Sequence, residues 1–357
     1  MHTDTLIKIL RDYIKDGELS STAFFDGWND DDWAALMKLS TKQGVSAIVY
    51  NTIINKVDNG HIPRKIKLNW ALQSEKIEER VKAQYIQANN IASLWAKHGI
   101  NTIVLKGIGL SKYYPTPWLR ECGDFDCFLF EDYQKGIGIA LSEGGKFLHK
   151  DYKHSQLRFR NLAIEVHKYF TSFRGESTKH QLENELHKLV KVETSNPIVE
   201  GSNILSASPT FNTCFLLYHT LFHFLFESVK LRHILDWILY IKTEQSNIDW
   251  EYVVSFCERY KLIHFGEALN AIGRHYFGVE LNTPITNQSI YRDRVMNDII
   301  NDNEGVSNKS GWSRRFQLLK NTIRTQWKYK LIESTFIKET AKRIYYVLFS
   351  DDKLKTS

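Results

Sequence analysis

Two aspartates lie close together in a short apolar segment of the chain, Asp124-Phe125-Asp126. Residues 123–130 are rich in aromatic side chains, which favour a buried β-strand. Successive side chains of a strand point to opposite faces, so Asp124 and Asp126 would share one face and Phe125 would occupy the other. Two adjacent carboxylates repel each other, and a divalent cation such as Mg²⁺ relieves that repulsion by binding both. The segment predicts a metal-binding strand; the alternative is a salt-bridged pair at a strand edge.

A third carboxylate strengthens the metal-site interpretation. Residues 162–167 form another apolar segment in which Glu165 is the only acidic residue. An aspartate pair on one strand and a carboxylate on a neighbouring strand are typical of two-metal phosphoryl transfer, with the ions about 3.5–4 Å apart. We therefore predict that the two strands are neighbours. His167 would share the strand face of Glu165, as an acceptor-side group or as a hydrogen-bonded structural histidine.

The sequence also carries a set of motifs along this region: LKG at residues 105–107, an aromatic and proline segment, Arg120, GDFD at residues 123–126 and IEVH at residues 164–167. Together they resemble the uncharacterised bacterial nucleotidyltransferase family of the polymerase-beta-like superfamily. A weaker similarity extends through His219, His223 and LRHILDW at residues 231–237. The resemblance implies transfer of a nucleoside monophosphate from a magnesium-bound NTP to an acceptor hydroxyl, with release of pyrophosphate.

The resemblance assigns roles to individual residues. It implies that the catalytic and metal-binding groups are Asp124, Asp126 and Glu165, which would hold Mg²⁺, with two ions expected and Mn²⁺ as a substitute. It also implies that the nucleotide is bound by Lys106, Gly107 and Arg120.

This sequence departs from the superfamily at the phosphate-binding turn. The superfamily usually has Gly-Ser after the first strand, whereas Lys106-Gly107 is followed here by Ile108. The triphosphate would then be held by an ammonium group and backbone N–H groups. The acceptor stays open and includes small molecules, peptides, proteins and tRNA.

The composition is that of a soluble globular protein. The chain has 357 residues, of which 43% are hydrophobic and 25% are charged, enough for two domains. The net charge of +6 allows anionic ligands without requiring a nucleic acid. The four cysteines lack metal-binding spacing. No signal peptide is visible, and the longest apolar run, residues 211–226, is too short for a membrane span. We expect a cytoplasmic protein without membrane partners.

The hydrophobic periodicity predicts an α+β fold. Residues 1–98 would form an N-terminal helical region, and residues 176–357 a C-terminal helical domain with a basic tail. Residues 99–175 would form a core with a mixed sheet, which the resemblance implies is a minimal nucleotidyltransferase core. A long helix is predicted over residues 65–98 and a loop over residues 281–310. Asn29 and the aspartates after it are expected to cap a helix and not to bind metal.

The polar residues of the helical half have weaker assignments. His219 and His223 are one helical turn apart, a spacing that suits zinc, although core histidines are the preferred interpretation. Arg232, His233 and Asp236 would make polar contacts between domains or line the acceptor pocket.

Residues 309–349 hold ten Lys or Arg against two Glu, a surplus larger than the net charge of the chain, interleaved with aromatic residues that include Trp327 and Tyr329. This composition suits a weak nucleic-acid contact, and a packed helix pair is the preferred alternative.

Two other functions are alternatives for this sequence. A non-catalytic nucleotide- or RNA-binding module, such as one half of a toxin–antitoxin pair, would keep the fold and the basic tail. A metal-dependent phosphodiesterase has less support, because no histidine–aspartate cluster accompanies the carboxylates. The carboxylate repulsion further predicts that Asp126→Asn is tolerated by the metal-free protein.

Overall fold

The structure is a computed structural model, and it describes residues 1–57, 61–171, 177–192, 194–301 and 325–335. A seven-stranded mixed sheet is preceded and followed by helices, which confirms the α+β class predicted from the sequence. Within these residues, no helix has the length and apolar character needed to cross a membrane.

The N-terminal region is helical, as predicted. Its helices are α1 (His2–Asp16), α2 (Asp30–Lys42), α3 (Ser46–Ile54) and α4 (Arg64–Lys97). Asn29 caps α2, and the aspartates after it form the first turn of the helix, as predicted. The Asn29 side chain accepts hydrogen bonds from the N–H groups of Asp31 and Asp32, and the Asp32 carboxylate accepts one from the N–H of Asn29.

The central sheet is formed by β1 (Thr102–Val104), β2 (Phe125–Phe128), β3 (Lys146–Lys150), β4 (His154–Phe159), β5 (Leu162–His167), β6 (Asn196–Pro197) and β7 (Ile204–Ser206). The order is β3-β4-β5-β2-β1-β7-β6. β2 runs parallel to β5 and antiparallel to β1, and β7 runs parallel to β1. Helices α5 (Ile108–Ser111) and α6 (Tyr133–Ser142) lie between strands in the chain.

Strands β6 and β7 were not predicted. They lie beyond residue 175, in a segment interpreted from the sequence as a connection between domains, so the sheet takes strands from both sides of that boundary. Both strands are short, and Pro197 lowers the strand tendency of β6. β6 is at the edge of the sheet, where the missing proline N–H is tolerated.

The helices after the core are α7 (Ser177–Leu189), α8 (Pro209–Phe226), α9 (Leu231–Glu244), α10 (Trp250–Arg259), α11 (Ile263–Phe277) and α12 (Arg292–Asn301). The last of these corrects the prediction of a loop over residues 281–310 for its middle part, whereas residues 281–291 form no helix or strand and residues 302–310 lie outside the described residues. The segment is rich in polar residues, but Val295, Met296, Ile299 and Ile300 recur on one helix face and are buried.

The basic tail lies mostly outside the described residues. Its described part includes a short 3₁₀ segment, Gln326–Ile332, in which Trp327 and Tyr329 are buried. Lys328 pairs with Asp298 at 2.5 Å and donates to the carbonyl of Phe224 at 2.8 Å. These two aromatic side chains therefore pack on the helical half and are not exposed for stacking on bases. The expected helix pair lies mostly outside the described residues.

Helix α4 joins two buried clusters. Trp70, Ile77 and Val81 pack in a cluster with the N-terminal and C-terminal helices. Further along, Ala92 and Trp95 pack in a second cluster with the sheet and α6. Because one continuous helix contributes to both clusters, it fixes the position of the sheet relative to the helical part of the chain.

Candidate active site

The pairing of β2 with β5 brings the three predicted carboxylates together. In this parallel pair Asp126 lies directly opposite Glu165, so the two side chains project from the same face of the sheet. Asp124 immediately precedes β2. One carboxylate oxygen from each residue lies within 4.8 Å of the others. The predicted neighbour relation of the two strands is therefore confirmed.

Asp126 is the most enclosed of the three. Its side chain is 1% exposed, and Oδ1 accepts a hydrogen bond from Nζ of Lys106 at 3.1 Å and lies 2.9 Å from Nε2 of His167. Oδ2 is buried and has no hydrogen-bond partner among the described residues. Burial opposes ionisation, but Lys106 and His167 outweigh it and hold the pKa of Asp126 well below its usual range.

The other two carboxyl groups are harder to ionise than Asp126. Burial, followed by the charge of Asp126, raises the pKa of Asp124 to about 7. The same two causes raise the pKa of Glu165, whose Oε1 accepts a hydrogen bond from Nε2 of Gln156 at 2.9 Å. Three clustered carboxylates and an unpartnered buried oxygen fit a divalent cation, because oxygen ligands from carboxylates suit Mg²⁺ and Mn²⁺.

The turn after β1 brings Lys106 to this cluster. Gly107 has φ 59° and ψ −120°, and a Cβ there would lie 3.3 Å from the backbone oxygen of Asp124. Glycine thus allows the two backbone segments to approach closely. Burial disfavours the charged form of Lys106, but Asp126 and Asp124 outweigh it and raise the pKa of Lys106.

Helix α8 contributes His219 to the site. Its Nε2 lies 3.3 Å from Nζ of Lys106, and burial followed by the charge of Lys106 holds the pKa of His219 far below its usual value. His219 is therefore neutral and accepts a hydrogen bond from the ammonium. His223, one turn further on, pairs with Glu227 at 2.6 Å. Among the described residues, neither histidine belongs to a group of three or more potential metal ligands.

Arg120 pairs with a carboxylate outside the cluster. Its guanidinium makes two hydrogen bonds with Asp236 of α9, at 2.8 and 2.7 Å, and Nη1 donates to the carbonyl of Glu121. The side chain is 5% exposed. Through this pair Arg120 links the core to the helical half. Its binding of the nucleotide stays a prediction.

A family model described as "Uncharacterised nucleotidyltransferase" matches residues 29–278. The chain belongs to this nucleotidyltransferase family. The matched range includes the carboxylates, Lys106 and His219, and it extends over the helices α8 to α11. Both the sheet and the adjoining helices are therefore part of the family's common structure. No curated protein matches the nucleotidyltransferase significantly.

Two solved structures are similar to this nucleotidyltransferase. A crystal structure of ANT(2")-Ia in complex with adenylyl-2"-tobramycin has 12% identity and a TM-score of 0.37, covering 50% of this chain and 99% of that chain. A solution structure of ANT(2'')-Ia has 10% identity and a TM-score of 0.37, covering 52% of this chain and 97% of that chain. A likeness of this size says nothing about the substrate of the nucleotidyltransferase described here.

Two residues near the carboxylates were missed in the sequence. His154 and Gln156 lie on β4, opposite His167 and Glu165 of β5. Alternation along β4 could have placed both on one face, but only the register of the β4–β5 hairpin brings them against Glu165. The group of polar residues around the carboxylates thus extends further on the β4 side than predicted.

Proposed function

We propose that this protein transfers a nucleoside monophosphate from a metal-bound NTP to an acceptor hydroxyl and releases pyrophosphate. The observation that carries the proposal is the register of β2 and β5, which sets Asp126 opposite Glu165 with Asp124 beside them. These three residues would hold divalent cations, Mg²⁺ first and Mn²⁺ as a substitute. When bound, the cations would neutralise charge on the phosphate oxygens and orient the reacting groups.

Lys106 is suited to contact the nucleotide. An ammonium group has three N–H donors. Two of its contacts are with Asp126 and His219, so within the described part of the chain a donor remains for a phosphate oxygen. Fixed cations stabilise the charge that develops on the phosphoryl oxygens during transfer. The Lys106-Gly107 turn would thereby take over the task of the Gly-Ser turn usual in the superfamily.

Glu165 is suited to accept the proton of the attacking hydroxyl. Its pKa is raised by burial and by Asp126, which brings its basicity closer to neutral pH. The acceptor oxygen would attack the α-phosphorus in line with the leaving pyrophosphate. The acceptor belongs to one of four classes: small molecules, peptides, proteins or tRNA.

The test is incubation with each α-³²P-labelled NTP, Mg²⁺ or Mn²⁺ and a cell extract, with detection of labelled products and of pyrophosphate. We expect one NTP to label an acceptor. Asp126→Asn and Glu165→Gln should each lose more than about 99% of the activity, as expected for groups that act at the reacting phosphate. Asp132→Asn is a matched control, since its half-buried carboxylate is 3.6 Å from Nζ of Lys135, a long contact for an ion pair.

Folded wild-type protein that forms neither labelled product nor pyrophosphate with any NTP would overturn the transfer reaction. The non-catalytic binding module would then be the better description. It predicts that a nucleotide or RNA binds without turnover, and that RNA affinity falls steeply with salt because phosphate contacts release counterions.

A further inference from the structure

A second group of potential metal ligands lies beside the carboxylates. In the antiparallel β4–β5 pair, His154 is directly opposite His167, and Gln156 is opposite Glu165. His154, Glu165 and His167 therefore project from the same face of the sheet. One ligand atom from each lies within 4.8 Å of the others. Nε2 of His154 is 3.5 Å from Oε1 of Glu165, and Nε2 of His167 is 3.8 Å from Oε2.

The contacts of His167 leave one ring nitrogen unsatisfied. Its Nδ1 lies 3.3 Å from the carbonyl oxygen of Tyr169, and its Nε2 lies 2.9 Å from Oδ1 of Asp126. Both partners are acceptors, whereas a neutral imidazole has a single N–H. Without metal, the N–H is at Nε2 and donates to Asp126, so the lone pair of Nδ1 faces the carbonyl oxygen of Tyr169. A cation at Nε2 would resolve this conflict, and a metal-bound histidine commonly donates its other N–H to a carbonyl in this way.

His154 is also incompletely satisfied. Its Nδ1 is buried and has no hydrogen-bond partner among the described residues. The polar atoms near Nε2 are at 3.5 Å in Gln156 and Glu165 and at 3.6 Å in Asp151, which are long for hydrogen bonds. Buried polar groups without short hydrogen bonds are uncommon and call for a ligand or a water molecule. Nε2 of His154 also faces the carboxylate of Glu165, which Gln156 holds in place by a hydrogen bond.

We propose that His154, Glu165 and His167 bind a divalent transition-metal ion of the Zn²⁺ and Co²⁺ type. Two imidazole nitrogens and one carboxylate suit such ions, whereas Mg²⁺ prefers oxygen ligands. The site differs from the group of Asp124, Asp126 and Glu165, which offers oxygen ligands alone. Glu165 has two oxygens and belongs to both groups, so the two sites are adjacent and share one ligand.

The proposal is tested by adding Co²⁺ alone to the metal-stripped full chain, without nucleotide. We expect an absorption band in the visible region that saturates at one ion per chain for this site and disappears when Zn²⁺ displaces Co²⁺. His154→Gln removes one nitrogen ligand and should weaken binding by about tenfold or more. The matched control is His98→Gln, which alters an exposed histidine at the end of α4 and should leave the band unchanged.

The variant Asp124→Asn distinguishes the proposed histidine site from the site formed by the three carboxylates. It removes a ligand of the oxygen-only group, so it should reduce Mn²⁺ binding while leaving the Co²⁺ band in place. A wild-type protein without a saturable Co²⁺ band, or a folded His154→Gln variant with undiminished affinity, would overturn the proposal. Because nucleotide is absent, these outcomes do not depend on whether the protein transfers a nucleotidyl group.

Discussion

Arg120 and Asp236 form a buried bidentate ion pair, with Nε 2.8 Å from Oδ1 and Nη2 2.7 Å from Oδ2. Tyr114 also donates to Oδ1 of Asp236, at 2.7 Å. Arg120 lies shortly before the strand that carries Asp126, whereas Asp236 belongs to α9. The pair therefore ties the segment that enters the carboxylate site to the C-terminal helices.

Removing the negative partner of this pair should destabilise the protein strongly. Asp236→Asn leaves the guanidinium of Arg120 buried without its counter-charge, and we expect a loss of roughly 3–5 kcal/mol in the free energy of unfolding. Glu121→Gln is the control, because it breaks the more exposed Arg80–Glu121 pair and should cost less than about 1 kcal/mol. Chemical denaturation of both variants makes the comparison. Equal losses would contradict a special role for the buried pair.

The variant Arg120→Lys distinguishes two roles of Arg120, the ion pair with Asp236 and the binding of the nucleotide. Lysine keeps the charge but cannot form the planar two-point contact with Asp236. We expect a lower melting temperature, with KM for the NTP within about twofold of wild type at temperatures where the variant is folded. An increase of tenfold or so in KM at unchanged stability would instead support the prediction that Arg120 binds the nucleotide.

The three carboxylates should not respond alike to loss of charge. The sequence suggested that Asp126→Asn would be tolerated without metal, but Asp126 is held by Lys106 and His167. Its replacement should cost roughly 1–3 kcal/mol, because hydrogen bonds to charged groups are lost. The tolerant position is expected to be Asp124, whose pKa is raised to about 7. Asp124→Asn should stabilise the metal-free protein at pH 8 by roughly 1–3 kcal/mol.

The pH dependence of this stability change follows from the raised pKa of Asp124. Between its ordinary pKa of 3.8 and about 7, folded Asp124 keeps a proton that the unfolded chain has lost. Its contribution to stability therefore falls as the pH rises through that range. Thermal melts of the wild type and Asp124→Asn at several pH values in EDTA should show a difference that grows from pH 4 to about pH 7. A constant difference would contradict the shifted pKa.

Metal binding should show the opposite pH dependence. A cation must displace the proton of Asp124, so Mn²⁺ affinity should fall about tenfold per pH unit below pH 7 and level off above it. Calorimetric titrations across this range measure the slope. Asp124→Asn should bind more weakly and lose most of the slope. If the wild-type affinity does not change between pH 5 and pH 7, Asp124 is not a ligand with the raised pKa found here.

The sequence predicted the helices and strands whose formation depends on residues close together in the chain. The apolar stripe of α4 and the alternation around Asp126 and Glu165 are visible in the sequence, and both led to correct elements. The partner of Arg120 was not predictable in this way, since Asp236 is 116 positions away. The position of His154 likewise depends on a hairpin register, and strands as short as β6 and β7 form only because a neighbouring strand supplies their hydrogen bonds.

His219 should act on the nucleotide through Lys106. Its Nε2 accepts a hydrogen bond from Nζ at 3.3 Å and helps to hold the ammonium beside Asp126. His219→Leu removes the acceptor, and a hydrogen bond to a charged group is worth about 1.5–3 kcal/mol, so KM for the NTP should rise about tenfold or more. His219→Gln keeps an acceptor and should recover part of the loss.

His223→Gln is the comparison variant: the His223 ring contacts that of His219, at 4.3 Å between centroids, but His223 pairs with Glu227 just after α8. Because the hydrogen bond to Lys106 comes from His219, KM should change less than in His219→Leu. Steady-state kinetics with the NTP varied, together with melting temperatures, distinguish positioning from misfolding. Equal effects of His219→Leu and His223→Gln would assign both histidines to packing of α8 alone.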